Sequence, residues 1–489
     1  MNVLLVLPVV LPLVVGGTVA ALRSAPARAG LALGATAVAT GASVALVLAV
    51  WRTGIVVTAF GGWPAPFGIV FAADMLGALM TAIAGWVALV TLVMALLSAE
   101  RRVDRFLPAG WLFLLGGMNG AFLTGDLFNL YVFFEVMLVA SYFLLTLGTS
   151  RRRAREAFTY VVINLVASTL FLVAVALLYG ATGTVNMADL ARRLPEASPA
   201  LSRGGVALLA TAFAVKAALF PLYFWLPHAY VLPPGSTAAY FGGMLTKVGV
   251  YALFRLFTTI WPLGEPSGWL LLVAGLTMSF GVLGALAQEE IRAILSFHII
   301  SQIGYMVMGL GLQSAAGLAG GIFYIIHHIG VKTALLLAGA TVEQTYRTGR
   351  LERLSGIAAV SPALGALFFV PALSLAGLPP FSGFWAKLAL LRAGLEVRQW
   401  VIVAVSLAVS LLTLLSMLKI FSGAFWGAPT RAPIVRPIQP AALGAVAAMA
   451  TLTIAWGLAA HVLLALSATA AEQLLDAAGY RAAVLGVRP

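Results

Sequence analysis

The chain alternates between long apolar runs and short polar connections over almost its whole length. A helix of about 20 apolar residues, rising ~1.5 Å per residue, crosses the ~30 Å hydrocarbon core of a bilayer. Because only 9% of the 489 residues are charged, against about 25% in soluble domains, we predict an all-α polytopic membrane protein. A short interfacial helix is expected after the last span, at 468–483. About fourteen runs have spanning length: 2–22, 29–51, 68–98, 106–124, 126–148, 156–181, 204–224, 236–260, 268–287, 291–312, 315–343, 362–394, 399–426 and 439–467.

The chain carries a net charge of +13 and has no cysteine. The lack of cysteine excludes disulfides, iron–sulfur clusters and thiolate metal sites. The arginines lie in short clusters between apolar runs, which indicates the positive-inside rule rather than nucleic-acid binding. With fourteen spans, fifteen of the 24 arginines fall on one side of the membrane and nine on the other. We therefore expect a multi-pass protein of the bacterial inner cell membrane, with the arginine-rich side cytoplasmic and both termini outside.

One carboxylate lies deep inside an apolar run. Residues 125–148 read GDLFNLYVFFEVMLVASYFLLTLG, and Glu135 is the one charge past the first turn of this helix. Ten residues of helix place it about 15 Å into the membrane. A carboxylate at this depth costs roughly 2.5–3.5 kcal/mol on insertion scales, so a functional role is expected.

Four of the five lysines also lie inside apolar runs, whereas the arginines lie in loops or near helix ends. A buried lysine can change its charge, because desolvation favours the neutral amine and a nearby carboxylate favours the ammonium. Arginine stays protonated in almost any environment. The fifth lysine, Lys419, lies nearer the end of its helix. The pattern predicts proton carriers, and the four candidates are Lys216, Lys247, Lys332 and Lys387.

Histidines accompany the lysines in the second half of the chain. In YIIHHIGVKTALL, His328 and Lys332 are spaced i, i+4 and share a helix face, whereas His327 points about 100° away. His298 also lies in the middle of an apolar run, in RAILSFHIISQIGY. The lysine would repel a metal ion and no carboxylate joins these histidines at ligand spacing, so neither a metal site nor a cofactor is expected.

Two spans carry helix-breaking prolines close to a buried lysine. Pro221 follows Lys216 by five residues, and Pro379 and Pro380 precede Lys387. Proline breaks helices, and the freed backbone groups are tolerated at membrane depth only inside protein or along a wet cavity. The two breaks lie five helices apart, and an odd spacing predicts a pair of repeats that are inverted in the membrane.

Six segments carry a family resemblance across about 70–465. They read NLYVFFEVMLVASY, KAALFPLYFWLPHAY, PPGSTAAYFGGMLTKVGVY, EEIRAILSFHIISQIGYM, IIHHIGVKTALLLAG and AGLPPFSGFWAK. The chain resembles the antiporter-like subunits that respiratory complex I shares with the Mrp multisubunit sodium/proton antiporters. The resemblance implies fourteen helices, inverted repeats of helices 4–8 and 9–13, and broken helices 7 and 12. It also implies a relay of Glu135, Lys216, Lys247, His328, Lys332 and Lys387.

Within this family, the segments FNLYVFFEVML and SFHIISQIGYMVMGLG most resemble the D-type Mrp members. The resemblance implies a hetero-oligomer with subunits A, B, C, E, F and G. The division that follows for this chain is N-terminal helices in 1–105, a first repeat in 106–260, a second repeat in 268–426, and a last helix with an interfacial segment in 439–489.

The expected function is proton translocation within a sodium/proton antiporter, by a transporter subunit rather than an enzyme. A proton-pumping subunit of a complex I-like or hydrogenase-linked enzyme is the first alternative. A stand-alone solute transporter and a passive scaffold with static buried charges also remain open. No motif marks a sodium site, and Asp74, in FAADMLGALM, is a weak candidate that fits a structural charge at a helix entrance better.

Overall fold

The structure is a computed structural model that describes residues 2–97, 104–147, 151–428 and 437–486, without the side chains of 151–154 and 156. The first seven helices are α1 (Val3–Ala21), α2 (Ala25–Thr53), α3 (Met75–Leu97), α4 (Leu107–Leu123), α5 (Leu127–Thr146), α6 (Arg151–Thr182) and α7 (Met187–Arg193). The next six are α8 (Pro199–Ala217), α9 (Trp225–Ala229), α10 (Gly235–Arg255), α11 (Gly268–Leu286), α12 (Ile291–Gly311) and α13 (Ala315–Tyr346). The last seven are α14 (Ile357–Val360), α15 (Pro362–Ala376), α16 (Ser382–Glu396), α17 (Trp400–Ile420), α18 (Pro440–Leu458), α19 (Ala460–Leu475) and α20 (Ala477–Leu485).

The all-α membrane fold is confirmed, but the count of fourteen spans is not. Among the described residues, eleven helices are long and apolar enough to cross a membrane, and the bent pair α19 and α20 makes twelve if it is one span. The three other predicted spans correspond to α4, α10 and the broken pair α15 and α16. Every residue of α10 after Gly235 is buried in protein, so this helix can carry polar groups that a lipid-facing helix could not.

Two boundaries differ from the prediction. Residues of the expected span 68–98 form a strand first: β2 (Val70–Ala73) pairs antiparallel with β1 (Val56–Ala59), and α3 begins only at Met75. An apolar run of this length does not distinguish a strand from a helix. The expected span 439–467 ends early, at the close of α18, and α19 follows after one residue. The expected interfacial helix corresponds to parts of α19 and α20, which meet at 77°.

The helices from α4 to α10 are repeated by those from α11 to α17. Both α6 and α13 have 32 residues. Backbone bridges join Asp126 to Asn186 and Glu290 to Arg350. Glu290 follows Asp126 in the sequence by the same number of residues as Arg350 follows Asn186. We call this constant displacement the repeat shift. Each repeat contains five of the predicted spans when a broken helix counts as one, and because five is odd, this division makes the second repeat inverted in the membrane.

Helix packing follows the same repeat shift. A Cβ atom on Gly117 would lie 2.7 Å from the backbone nitrogen of Met137, and one on Gly281 would lie 2.3 Å from that of Ser301. Such distances are shorter than real Cβ contacts, so both glycines allow two helix backbones to touch. The α4–α5 contact is thus reproduced between α11 and α12.

The two predicted helix breaks are present. The helix α8 ends at Ala217, directly after Lys216, and the left-handed Ala218 closes it with φ +59°. The helix α15 ends at Ala376, Gly377 follows with φ +92°, and Lys387 lies in the second half of the span, α16. Between the breaks lies α13, whose most apolar window is wholly buried and which contacts α10, α12, α15, α16, α18 and α19. The central helix of the protein therefore carries two histidines and a lysine.

Candidate functional site

Lys216 lies at the break of the first repeat. Its side chain is 5% exposed, and its Nζ donates to the backbone oxygen of Asn164 at 3.2 Å and to the Ser168 hydroxyl at 3.1 Å. Both partners belong to α6. Under the repeat shift, Asn164 and Ser168 occupy the positions that His328 and Lys332 occupy in α13.

Glu135 is half-buried and faces outward from the first repeat. It lines an apolar groove of about 680 Å³ between α1, α4 and α5, and its Oε1 is buried without a hydrogen-bond partner. Within the described part of the chain, no ion pair joins it to Lys216. The two groups are close enough to interact electrostatically. The structure thus places Glu135 near Lys216 without an ion pair between them.

The central group consists of Lys247, His328 and Lys332, all fully buried. The Nζ of Lys247 donates to the Gly242 oxygen at 2.7 Å, and that of Lys332 donates to the Leu295 oxygen at 3.2 Å. Neither ring nitrogen of His328 has a protein partner in the ranges described. The three groups interact electrostatically with no carboxylate among them, so charge on one disfavours charge on the next.

His298 and His327 connect this group to the second break. His298 Nε2 lies 2.8 Å from the Ser416 hydroxyl of α17, and His327 Nδ1 lies 2.8 Å from the Ser382 hydroxyl of α16. Each histidine interacts electrostatically with both Lys332 and Lys387. His298 and His327, which the implied relay left out, therefore belong to the same group of interacting residues as Lys332 and Lys387.

Lys387 closes the series at the second break. Its Nζ donates to the oxygens of Leu375 at 3.0 Å and Ala376 at 2.8 Å, and to the Ser410 hydroxyl at 2.7 Å. The amine lies 5.3 Å from the ring centroid of Tyr305. Across the described residues, no carboxylate lies within ion-pair distance of it.

Asp74 lies apart from this series, in a buried ion pair. Its Oδ2 is 2.7 Å from Arg255, and both side chains are at most 2% exposed. Tyr251 accepts a hydrogen bond from Arg255 at 3.0 Å, and the ring of Tyr480 lies 5.4 Å from the guanidinium. Sequence reasoning missed Arg255 because it treated every arginine as lying in a loop or at a helix end. The spacing of Lys247, Tyr251 and Arg255, four residues apart on one buried face, was the available signal.

Other buried polar side chains were also missed. The hydroxyls of Tyr230, Tyr240 and Thr246 are buried without a protein partner among the residues described. Buried polar atoms are hydrogen-bonded to protein or to water, so these hydroxyls are candidate partners for internal water. The described ranges contain no group of three His, Asp or Glu side chains that could hold a metal ion.

The fold and the site define a class of protein: a polytopic membrane protein with inverted repeats whose buried lysines and histidines form a series from one broken helix to the other. Residues 124–413 match the family NADH:quinone oxidoreductase/Mrp antiporter, TM, and the chain belongs to this family. The family resemblance stated from the sequence is confirmed.

Relatives and solved structures agree with this assignment. The chain is 45% identical to the D-type subunit of the Na⁺/H⁺ antiporter of Alkalihalophilus pseudofirmus, over 99% of this chain and 100% of the relative. It matches a chain of the Mrp complex from Dietzia sp. with a TM-score of 0.94 and 37% identity, covering 99% of this chain and 100% of the other. A chain of the membrane-bound sulfane sulfur reductase, an archaeal respiratory membrane complex, matches with a TM-score of 0.91 and 27% identity over 99% and 100% of the two chains.

Proposed function

We propose that this chain is a proton-translocating, D-type subunit of an Mrp sodium/proton antiporter of the bacterial cell membrane. The supporting observation is the series of buried ionisable groups from Lys216 at one helix break to Lys387 at the other. We infer the cation, Na⁺, and the type of exchange from relatives that are named as D-type subunits of Na⁺/H⁺ antiporters. In this role the chain is a transporter subunit and not an enzyme.

The proton moves because the charge state of each lysine depends on its neighbours. An ammonium near Glu135 is stabilised by the carboxylate, whereas a lysine that is separated from it in a desolvated site favours the neutral amine. The Lys216 amine donates hydrogen bonds to Ser168 and Asn164 and has no ion pair with Glu135. This arrangement corresponds to the stage of transport at which Lys216 releases its proton. Lys247, His328 and Lys332 pass the charge on, and His298, His327 and Lys387 complete the path.

The subunit works within a hetero-oligomer of Mrp subunits. Glu135 fits this arrangement, because the apolar groove that it lines opens on the outer face of α1, α4 and α5. We place the Na⁺ path outside the series described above, since its central groups are basic and offer no carboxylate to a cation. Asp74 does not supply one either, because Arg255 already neutralises it.

Cation exchange in everted vesicles tests this function. The intact complex is compared with variants that carry Glu135→Ala or Lys216→Ala, and Na⁺-driven pH change is recorded beside the amount of assembled complex. We expect both variants to assemble and to lose exchange. Lys419→Ala is the matched control, because this lysine binds Glu289 and the end of α11 and has no hydrogen bond to the described groups of the series, and it should exchange normally. Full exchange in both test variants would refute the proposal, and loss of assembly in both would favour a scaffold.

A redox-linked proton pump is the second candidate, favoured by the match to an archaeal respiratory membrane complex. The two functions differ in their energy source. Purified complex in sealed vesicles with an imposed Na⁺ gradient and no electron donor should acidify or alkalinise the lumen if it is an antiporter. A pump would respond only when an electron donor and acceptor are added.

A further inference from the structure

The Lys387 amine lies among three oxygen acceptors. Two of them are carbonyl oxygens, of Leu375 and Ala376, which can only accept hydrogen bonds. The third is the Ser410 hydroxyl, which donates its own hydrogen to the Ala376 oxygen at 3.1 Å and so turns a lone pair toward the lysine. An ammonium has three N–H donors and a neutral amine has two with one lone pair, so this arrangement matches the ammonium.

The surroundings stabilise the Lys387 ammonium without a carboxylate. Leu375 and Ala376 are the last two residues of α15, and the C-terminal end of a helix carries partial negative charge. The face of the Tyr305 ring adds a cation–π contact at 5.3 Å. Under the repeat shift, Ile299 occupies the position in the second repeat that corresponds to Glu135 in the first. Lys387 is therefore held by dipoles and a ring, with no carboxylate at the position that Glu135 occupies in the first repeat.

The glycine after α15 makes this geometry accessible. A Cβ atom on Gly377 would lie 2.7 Å from Cδ of Lys387 and 3.3 Å from its Nζ. The backbone there has φ +92°, which side-chain-bearing residues rarely adopt. Both facts let the lysine stem run directly past the end of α15 to its carbonyl oxygens.

We infer that Ser410 is a positioning residue for proton transfer at Lys387, and that its hydroxyl reverses direction when the lysine changes charge. Beside the ammonium, the hydroxyl accepts from Lys387 and donates to Ala376. When Lys387 passes one proton to a neighbouring base, the N–H bond breaks and the amine nitrogen keeps the electron pair. The Ser410 O–H then turns and donates to that lone pair. Ser410 gains and loses no proton, and the lysine exchanges its proton without leaving the site.

This inference rests on the proposed function, and its test measures the pH profile of Na⁺/H⁺ exchange by the intact complex. Ser410→Ala removes one of three acceptors from the ammonium and the one donor that the described residues offer to the neutral amine. Hydrogen bonds to charged groups are the stronger ones, so we expect the profile to move to lower pH by about one unit, with a lower maximal rate. Ser410→Thr keeps the hydroxyl and should restore the wild-type profile.

Ser406→Ala is the matched control. Ser406 lies on α17 one turn before Ser410 and is buried, but its hydroxyl donates to Val403 within the same helix and has no hydrogen bond to Lys387. Its profile should equal that of the wild type. If Ser410→Ala prevents assembly, Ser410→Cys provides the test, because the thiol is a weak donor and acceptor of similar size, and a partial shift is expected.

A wild-type profile for Ser410→Ala, or for Ser410→Cys where the alanine variant does not assemble, would overturn the inference. Equal shifts for the Ser406 and Ser410 variants would overturn it as well. Failure of the proposed function looks different: the wild-type complex would show no exchange, or Lys387→Ala would exchange normally.

Discussion

At the scale of single residues, the buried ion pair of Asp74 and Arg255 has a structural effect that neither residue has alone. It joins the start of α3 to the end of α10, and Gln473 of α19 accepts from the Met75 nitrogen at 2.7 Å beside it. The N-terminal helices, the first repeat and the C-terminal helices thus meet at one point. Breaking a buried pair leaves an uncompensated charge and costs about 3–5 kcal/mol, which is more than forming the pair contributes.

Arg255→Met should therefore destabilise the protein strongly, because it leaves Asp74 buried without its partner. Thermal unfolding of the solubilised complex, followed by the loss of monodisperse material, measures the effect. The double variant with Asp74→Leu removes both charges and should recover most of the loss. Equal destabilisation in the single and the double variant would show that the packing of the side chains, and not the charge, matters there.

The ionisable residues were predictable from the sequence because a charge inside an apolar run is rare and easily seen. Their contacts were not. Glu135 was expected deep along its helix and lies near the middle of α5. Position along a helix does not determine which face the side chain occupies, and the structure places it at an outward groove. Likewise, nothing local to Lys387 indicates Ser410, which is 23 residues away on another helix.

At the scale of helices, close backbone contacts determine how the spans pack. Prolines revealed the two broken helices in the sequence, since the cost of proline in a helix is local. The β1–β2 hairpin was missed because apolar strands and apolar helices share the same composition. The glycine contacts of α4 with α5 and of α11 with α12 depend on a partner helix, so no local pattern in the chain indicates them.

Gly281→Ala should prevent α11 and α12 from approaching, because its Cβ would lie 2.3 Å from the Ser301 nitrogen. We expect little or no assembled complex on a native gel. Gly204→Ala in α8 is the control, since no heavy atom lies within 4 Å of its new Cβ. Alanine is favoured over glycine in a helix, so the control should assemble at least as well as the wild type. Normal assembly of the Gly281 variant would contradict the packing described.

At the scale of the whole molecule, we propose that both termini lie outside and that the arginine-rich connections are cytoplasmic. The division into 1–105, 106–260, 268–426 and 439–489 is part of the same proposal. Several of the arginines on which the orientation rests, including Arg101, Arg102, Arg431 and Arg436, lie outside the described residues. The orientation is therefore best tested at other positions.

The lack of cysteine makes such a test straightforward, since single cysteines can be introduced without background. Trp63 lies 68% exposed in the connection after α2, and Glu352 is exposed in the connection after α13. We expect a membrane-impermeant maleimide to label Trp63→Cys in intact cells and Glu352→Cys only in everted vesicles. Labelling after denaturation gives the total of each cysteine. The reverse pattern would invert the orientation.

The constancy of the repeat shift also has an evolutionary consequence. Matching register over two halves is typical of a duplicated gene, and with an odd number of spans in each copy the second copy lies the opposite way round in the membrane. The two halves differ in their chemistry: Ser168 in the first occupies the position of Lys332 in the second.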